Sequence, residues 1–272
     1  DAEAHYLHTD GGNSEAFADD HRGQVRYCHA WSKWLVDDGQ RWNQDATGEV
    51  ERRAKATARR LLAEASQIAA EETRKKAVRW ALTTDSRGRR EAMVALAQSE
   101  PGIPVQPDQL DRDPWLLNVA NGTIDLHTGT MHAHNPNDLI TKLAPVEYNG
   151  ATTCPRWTAF VEEVLPDPAV RSFVQKALGY SLTGVVSEQV LFFAHGSGAN
   201  GKSVFLNVAQ FILGDYALQA APDMLMVTKG EAHPTGLADL HGRRFVATVE
   251  VEENQRLAES RVKWMTGGDT LR

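Results

Sequence analysis

Within FFAHGSGANGKSVFLNVAQF, residues 192–211, Gly196, four intervening residues and Gly201-Lys202-Ser203 satisfy the Walker A template. Glycines at these spacings let the backbone curl until successive N–H groups point at one anion. That marks Gly196, Ser197, Gly198, Ala199, Asn200, Gly201, Lys202 and Ser203 as a candidate phosphate cradle. Lys202 is placed to reach β- and γ-phosphates, and Ser203 to set its hydroxyl on Mg²⁺. The helix expected to begin near Gly201 aims its positive end at the same charge. The chemistry implied is the binding of a nucleoside triphosphate with Mg²⁺. Hydrolysis also needs a carboxylate, to hold the metal and orient water. About fifty residues downstream a strand-like run, 244–249, ends in Glu250-Val251-Glu252-Glu253. The carboxyl end of a parallel strand is where ligands bind in open α/β sheets. Glu250 is the first candidate for polarising water and holding Mg²⁺, and Glu252, on the same face of a continuing strand, is the second.

These residues need elements to hold them. Upstream, Val190-Leu191-Phe192-Phe193-Ala194 is a continuous apolar run of the kind a doubly covered parallel strand requires. Downstream, Val204, Phe205, Val208, Phe211 and Ile212 recur at helical spacing and end at Gly214. Residues 155–184 read as helix, with Trp157, Phe160, Val161 and Val164 before a break at Pro166-Asp167-Pro168. Earlier still, Asn121-Gly122 between two apolar runs predicts a hairpin, with a second turn at Thr128-Gly129. His132 and His134 then share one strand face near His127, but no cysteine or carboxylate completes a metal set. Residues 99–114 are rich in proline and turn formers and read as a connector. A helical stripe from Val50 to Leu82 predicts one or two helices, and Met93, Leu96 and Ala97 a further short one. Tyr27, Trp31, Trp34, Leu35 and Trp42 gather around a turn at Asp37-Asp38-Gly39 as a small core of strands or a short helix.

The chain has 272 residues, enough for two domains, with 42% hydrophobic and 24% charged residues and a net charge of -7. That balance argues against a uniformly basic nucleic-acid coat. Residues 51–90 depart from it, with twelve lysines and arginines against five acids. A basic segment on an acidic chain is a candidate phosphate-backbone contact, or a solvated helix face with pairs such as Glu72 and Lys76. Cys28 and Cys154 stand alone, which supports neither a disulfide framework nor a zinc ribbon. No apolar run approaches a membrane span and the polar start is no signal peptide, so the expected compartment is a bacterial or host cytoplasm without membrane contact. The missing initiator Met and the stop at Asp269-Thr270-Leu271-Arg272 read as a fragment of a longer protein.

The segment 256–270, RLAESRVKWMTGGDT, resembles the phage and plasmid primase-helicases, whose superfamily 3 helicase core has a glycine loop, an acidic strand and then a Lys followed by Thr-Gly-Gly-Asp. DPWLLNVANGTIDL at 113–126, LGYSLTG at 178–184 and His233-Pro234-Thr235 are similar to that family as well. The resemblance implies an AAA+-like hexameric motor that couples ATP hydrolysis to translocation on single-stranded or forked DNA, in replication of a mobile element. It implies that Lys202 and Ser203 hold ATP and Mg²⁺ and that an acid at Glu250 completes hydrolysis. Lys263, Thr266, Gly267, Gly268 and Asp269 fall in the segment associated with coupling to DNA. The family pattern continues to a sensor asparagine and an arginine finger, and this sequence ends first; ATP binding with weak hydrolysis is the expectation. No primase catalytic domain is evident in these residues.

The resulting expectation is an α/β fold with a P-loop NTPase, AAA+-like parallel sheet core at 186–272. It is preceded by a helical collar at 151–185 and a mixed α+β amino-terminal region at 1–150, with basic helices at 51–98 and the hairpin at 115–134. Two other readings stay open. One is a P-loop small-molecule kinase, which shares the cradle; the other is a noncatalytic DNA-binding or oligomerisation scaffold.

Overall fold

The computed structural model describes residues 6–196, 198–227, 240, 242–248 and 256–267, which divide into a unit of 1–112 with 135–141 and a unit of 113–134 with 142–272. Mixed α/β structure with small sheets runs through both.

The first unit opens with α1 (Asp10–His21), which starts where the Thr9 hydroxyl accepts the Gly12 N–H at 3.0 Å. Periodicity does not announce this helix, because Gly12, Asn13 and Ser14 share its buried side with Ala16, Phe17 and Ala18. Asn13 accepts the Trp80 indole N–H at 3.2 Å and donates to Thr84 at 3.3 Å, and Ser14 donates to Glu100 at 2.7 Å. Each buried polar group thus has a partner, which removes the cost of its desolvation. The aromatic-rich stretch that follows is an antiparallel meander of β1 (Val25–Cys28), β2 (Lys33–Asp37) and β3 (Trp42–Gln44), with Tyr27 opposite Trp34. Trp42 is buried and donates from its backbone and its indole, both at 2.8 Å, to the carbonyls of Ile140 and Pro136. Those two bonds bring 135–141 back to this unit.

The long helical stripe is two helices, α2 (Glu49–Ser66) and α3 (Glu71–Thr84), joined by four residues and meeting through Ala65, Ala77 and Ala81 with Leu61, Leu62, Ile68 and Val78. Small residues at the seam let the two helices approach closely. Then α4 (Arg87–Ala97) sends Met93 and Ala97 into the core made by Phe17, Val25, Val50, Ala54 and Ile103. Leu96, expected in that stripe, is instead 47% exposed.

The start of α2 depends on Asp45. Its carboxylate accepts the N–H groups of Thr47, Glu49 and Val50 at 3.1, 2.9 and 2.9 Å. Partial burial works against its charge, but the row of backbone donors outweighs burial and holds its pKa below the ordinary aspartate value. A carboxylate whose pKa is lowered by folding contributes stability above the unfolded pKa of about 3.9, and that contribution is lost as pH falls through the folded value. Asp45→Ala is therefore expected to cost about 1 kcal/mol at neutral pH, the usual worth of such a cap. Denaturant titrations of both proteins should show the gap closing below about pH 3.9; a gap that persists there would mean that the carboxylate is not its source.

In the second unit the hairpin forms as expected. β4 (Leu116–Val119) pairs antiparallel with β5 (Gly122–Asp125), and β6 (Thr130–His132) continues the sheet. Gly122 pairs with Val119 at φ 154°, so the turn is Ala120-Asn121. The buried Asn118 side chain joins three partners: its Oδ1 accepts from Thr123 at 3.1 Å and meets the His134 ring at 2.9 Å, and its Nδ2 donates to Lys142 at 3.0 Å. His134 therefore serves a buried hydrogen-bond network and His127 stacks on Trp115, while among the described residues no His, Cys, Asp and Glu cluster is suited to a metal.

Helices α5 (Pro155–Val164) and α6 (Pro168–Leu182) are separated at the expected break, where Asp167 accepts the Ala169 N–H at 2.8 Å. α7 (Lys202–Leu213) ends at Gly214, whose φ of 51° and close approach to Pro145 leave no room for a Cβ. Leu213 and Tyr216 then share a core with Leu117, Val119, Ile124 and Ala144. β7 (Ala217–Ala220), not foreseen from sequence, pairs in parallel with β8 (Phe245–Thr248), which was. Arg244 ties this pair to the hairpin and α6, stacking over Tyr216 at 4.6 Å and donating to the carbonyls of Leu116 and Leu182, both at 2.7 Å. α8 (Glu259–Thr266) follows.

One expectation is corrected. Residues 190–194 form no strand, and Phe192 and Phe193 are 48% and 74% exposed. A continuously apolar strand is stable only with ladder partners and cover on both faces. The parallel sheet of the described residues consists of β7 and β8 alone, paired with each other. No described helix is long and apolar enough to cross a membrane.

Candidate nucleotide-binding site

The glycine loop turns directly into α7. Gly201 is the N-cap at φ 81°, and among the described residues no side-chain cap bond is made to the first turn. Glycine is required there for two reasons. Its φ is left-handed, and an added Cβ would lie 2.5 Å from Val164 Cγ1 and 3.2 Å from the Phe160 ring. At Gly196, whose φ is 159°, a Cβ would collide with the Asn200 amide. Between them Ala199 holds φ 59°, an uncommon conformation for a residue with a side chain.

Lys202 folds back over this loop. Its Nζ donates to the Gly196 carbonyl at 2.9 Å and to Asn200 Oδ1 at 3.0 Å. The ammonium thus lies against the loop between Gly196 and Asn200. Ser203 is exposed one residue on, with its hydroxyl next to the start of the helix. Helix α5 supports the arrangement from the side: Trp157 stacks on Phe205 of α7 at 5.5 Å, and Phe160 and Val164 form the seat of Gly201. Helical spacing identified Trp157, Phe160 and Val164 as packing residues, but their position under the loop has no signature in sequence. The same is true of Asn200 as a lysine partner.

Of the cradle, Gly196 and 198–203 are described, with Lys202 bonded to Gly196 and Asn200, while Ser197 lies outside the described residues. Glu250 and Glu252 also lie outside them, beyond the end of β8 at Thr248. In α8, Lys263 is exposed and the Thr266 hydroxyl donates back to Val262 at 2.9 Å, with Gly267 at the C-cap. Gly268, Asp269 and the motif at 233–235 are not among the described residues. The described hydrogen bonds of α8 and its lead-in run to Met224, Leu225, Met226 and Val227, or within the helix.

Comparison with known proteins finds relatives that share part of this chain. A provisionally named helicase of Acanthamoeba polyphaga mimivirus is 28% identical over 170 residues, 60% of this chain and 18% of that protein. Another provisionally named helicase, of Invertebrate iridescent virus 3, is 24% identical over 172 residues, again 60% of this chain and 18% of the relative. A provisionally named primase of African swine fever virus is 25% identical over 169 residues, 57% of this chain and 17% of the relative. The chain thus spans less than a fifth of the length of these relatives. Residues 14–166 match the family described as D5 N terminal like, more than half of the sequence. The chain belongs to the D5 N terminal like family, whose domain is found in primase-helicase proteins.

Proposed function

We propose that the chain is part of an ATP-driven DNA motor of a primase-helicase, acting on single-stranded or forked DNA as a homo-hexamer in replication of a mobile element. The observation that carries the reading is the Lys202 ammonium held against a glycine loop at the start of α7. The residues present fit a triphosphate. Backbone N–H groups would take the phosphate oxygens, Lys202 would exchange Gly196 and Asn200 for β- and γ-phosphate oxygens, and Ser203 would reach Mg²⁺. When bound, Mg²⁺ neutralises phosphate charge. Glu250, with Glu252 second, is the proposed acid for orienting water; Lys263, Thr266, Gly267, Gly268 and Asp269 are the proposed coupling segment. In this reading 186–272 is a P-loop, AAA+-like core, 151–185 its collar and 1–150 the associated amino-terminal region.

The test is ATP binding and hydrolysis by the full chain, with Mg²⁺, with and without single-stranded DNA. Mg²⁺-dependent ATP binding is expected, with a turnover that is weak and rises with single-stranded DNA. Phosphate transfer to a nucleoside monophosphate, unaffected by DNA, would replace the motor with a kinase. DNA binding and assembly that ignore both ATP and Lys202→Ala would leave a scaffold.

A further inference from the structure

The basic segment 51–90 is not uniformly available to a ligand. Seven of its cations are held by carboxylates of the same unit. Arg52 and Arg53 pair with Glu49 at 2.8 and 3.1 Å, Arg60 with Asp20 and Glu64 at 2.9 and 2.7 Å, and Arg90 with Glu51 and Asp85 at 2.8 and 2.7 Å. Lys75 takes Glu71 and Glu72 at 2.8 and 3.3 Å, which leaves Lys76 without the Glu72 partner that spacing suggested. Arg87 pairs with Glu91 at 2.7 Å and Arg89 with Asp10 at 3.6 Å. Arg74 is turned inward to the carbonyl of Ile68 at 3.1 Å.

Four cations remain: Lys55 and Arg59 on α2, and Lys76 and Arg79 on α3. All four are exposed and have no ion pair or hydrogen bond among the described residues. Lys55 and Arg59 are one turn apart, Lys76 and Arg79 three residues apart. Both pairs lie away from the buried stripes Val50, Ala54, Thr57, Ala58 and Ala65 of α2 and Ala77, Ala81 and Thr84 of α3. The two helices pack side by side, so the four charges belong to one helical hairpin. Every carboxylate of that hairpin, Glu49, Glu51, Glu64, Glu71 and Glu72, is already engaged by another cation. The field of the four is therefore not neutralised locally, although the chain as a whole carries -7.

We infer that Lys55, Arg59, Lys76 and Arg79 form a contact surface for the phosphate backbone of single-stranded DNA, separate from the nucleotide loop. This rests on the DNA-motor reading for the identity of the polyanion. Spaced ammonium and guanidinium groups on two helices suit a sequence-independent track of phosphates. Each such contact releases counterions and contributes about 0.7 to the slope of log affinity against log salt on a single strand.

The experiment measures fluorescence anisotropy of a labelled oligodeoxythymidine with the full chain from 50 to 200 mM salt. It compares the wild type, a quadruple variant (Lys55→Gln, Arg59→Gln, Lys76→Gln, Arg79→Gln) and a control (Arg52→Gln, Lys75→Gln, Arg87→Gln) that removes paired, exposed cations. Circular dichroism and melting check the fold of each. The quadruple variant is expected to lower the slope by about 3, so that its loss of affinity is about fifty-fold greater at 50 than at 200 mM salt. The control is expected to change the slope by less than about 1. A wild-type slope in the quadruple variant, or an equal drop per charge in the control, overturns the surface while leaving the motor reading in place. No binding of the oligonucleotide by the wild type overturns both.

Discussion

Lys202→Ala is expected to weaken Mg·ATP binding by about one to two orders of magnitude, because a charge-assisted hydrogen bond is worth about 1.5–3 kcal/mol and each 1.4 kcal/mol is a factor of ten. The lysine has two acceptors in the loop, the Gly196 carbonyl and Asn200 Oδ1. That makes Asn200 a graded probe of the same site. Asn200→Ala removes one acceptor and leaves the carbonyl, so affinity should change by only a few-fold, about the worth of one modest hydrogen bond. Asn200→Asp puts a carboxylate on the ammonium, which strengthens the internal pair and repels a phosphate; affinity should fall below that of the alanine variant. Titration calorimetry with a non-hydrolysable ATP analogue separates Asn200→Ala, at or a few-fold above wild-type affinity, from Asn200→Asp and Lys202→Ala, both below it. Unchanged affinity in Lys202→Ala would mean that the loop is not a phosphate cradle.

Asn118→Ala is expected to be the most damaging single substitution in the second unit. It deletes the acceptor of the Thr123 hydroxyl, the partner of the His134 ring and the donor to the Lys142 carbonyl, in a position without solvent access. Each buried polar group left unpaired costs about 1–3 kcal/mol, so a total of about 3 kcal/mol or more follows. For a unit of this size that lowers the melting temperature by roughly 6–12 °C. His134→Ala removes only one member and should cost less than half as much. Differential scanning calorimetry decides the matter, and a shift under about 2 °C for Asn118→Ala would show that the network is replaceable by water.

The parts of this protein that were legible in its sequence are those decided within a few residues. The start of α7 at Lys202 and its stop at Gly214 follow from glycines whose positive φ values disfavour residues with a Cβ. Pro166-Asp167-Pro168 had to separate α5 from α6, since proline cannot donate within a helix and Asp167 caps the next one. The stripe of Ala54, Leu61, Leu62 and Ala65 repeats with the helical period and reads as helix on that ground alone. α1 escapes the same reading because Asn13 and Ser14 are buried beside Ala16, Phe17 and Ala18, and their burial needs Trp80, Thr84 and Glu100 opposite them.

The run at 190–194 failed in the other direction. Its composition suits a covered parallel strand, but strand formation needs ladder partners that no local pattern supplies. What the sequence by itself determined is the chemistry: a glycine loop with Lys202 and Ser203, the hairpin around Asn121, and an excess of cations between 51 and 90. What only the tertiary structure decided is which of those groups are free. Whether a charge is engaged depends on the partner the fold brings to it. Glu51 and Asp85 reach Arg90, and Asp20 reaches Arg60 from 40 residues away, whereas Lys55, Arg59, Lys76 and Arg79 face solvent.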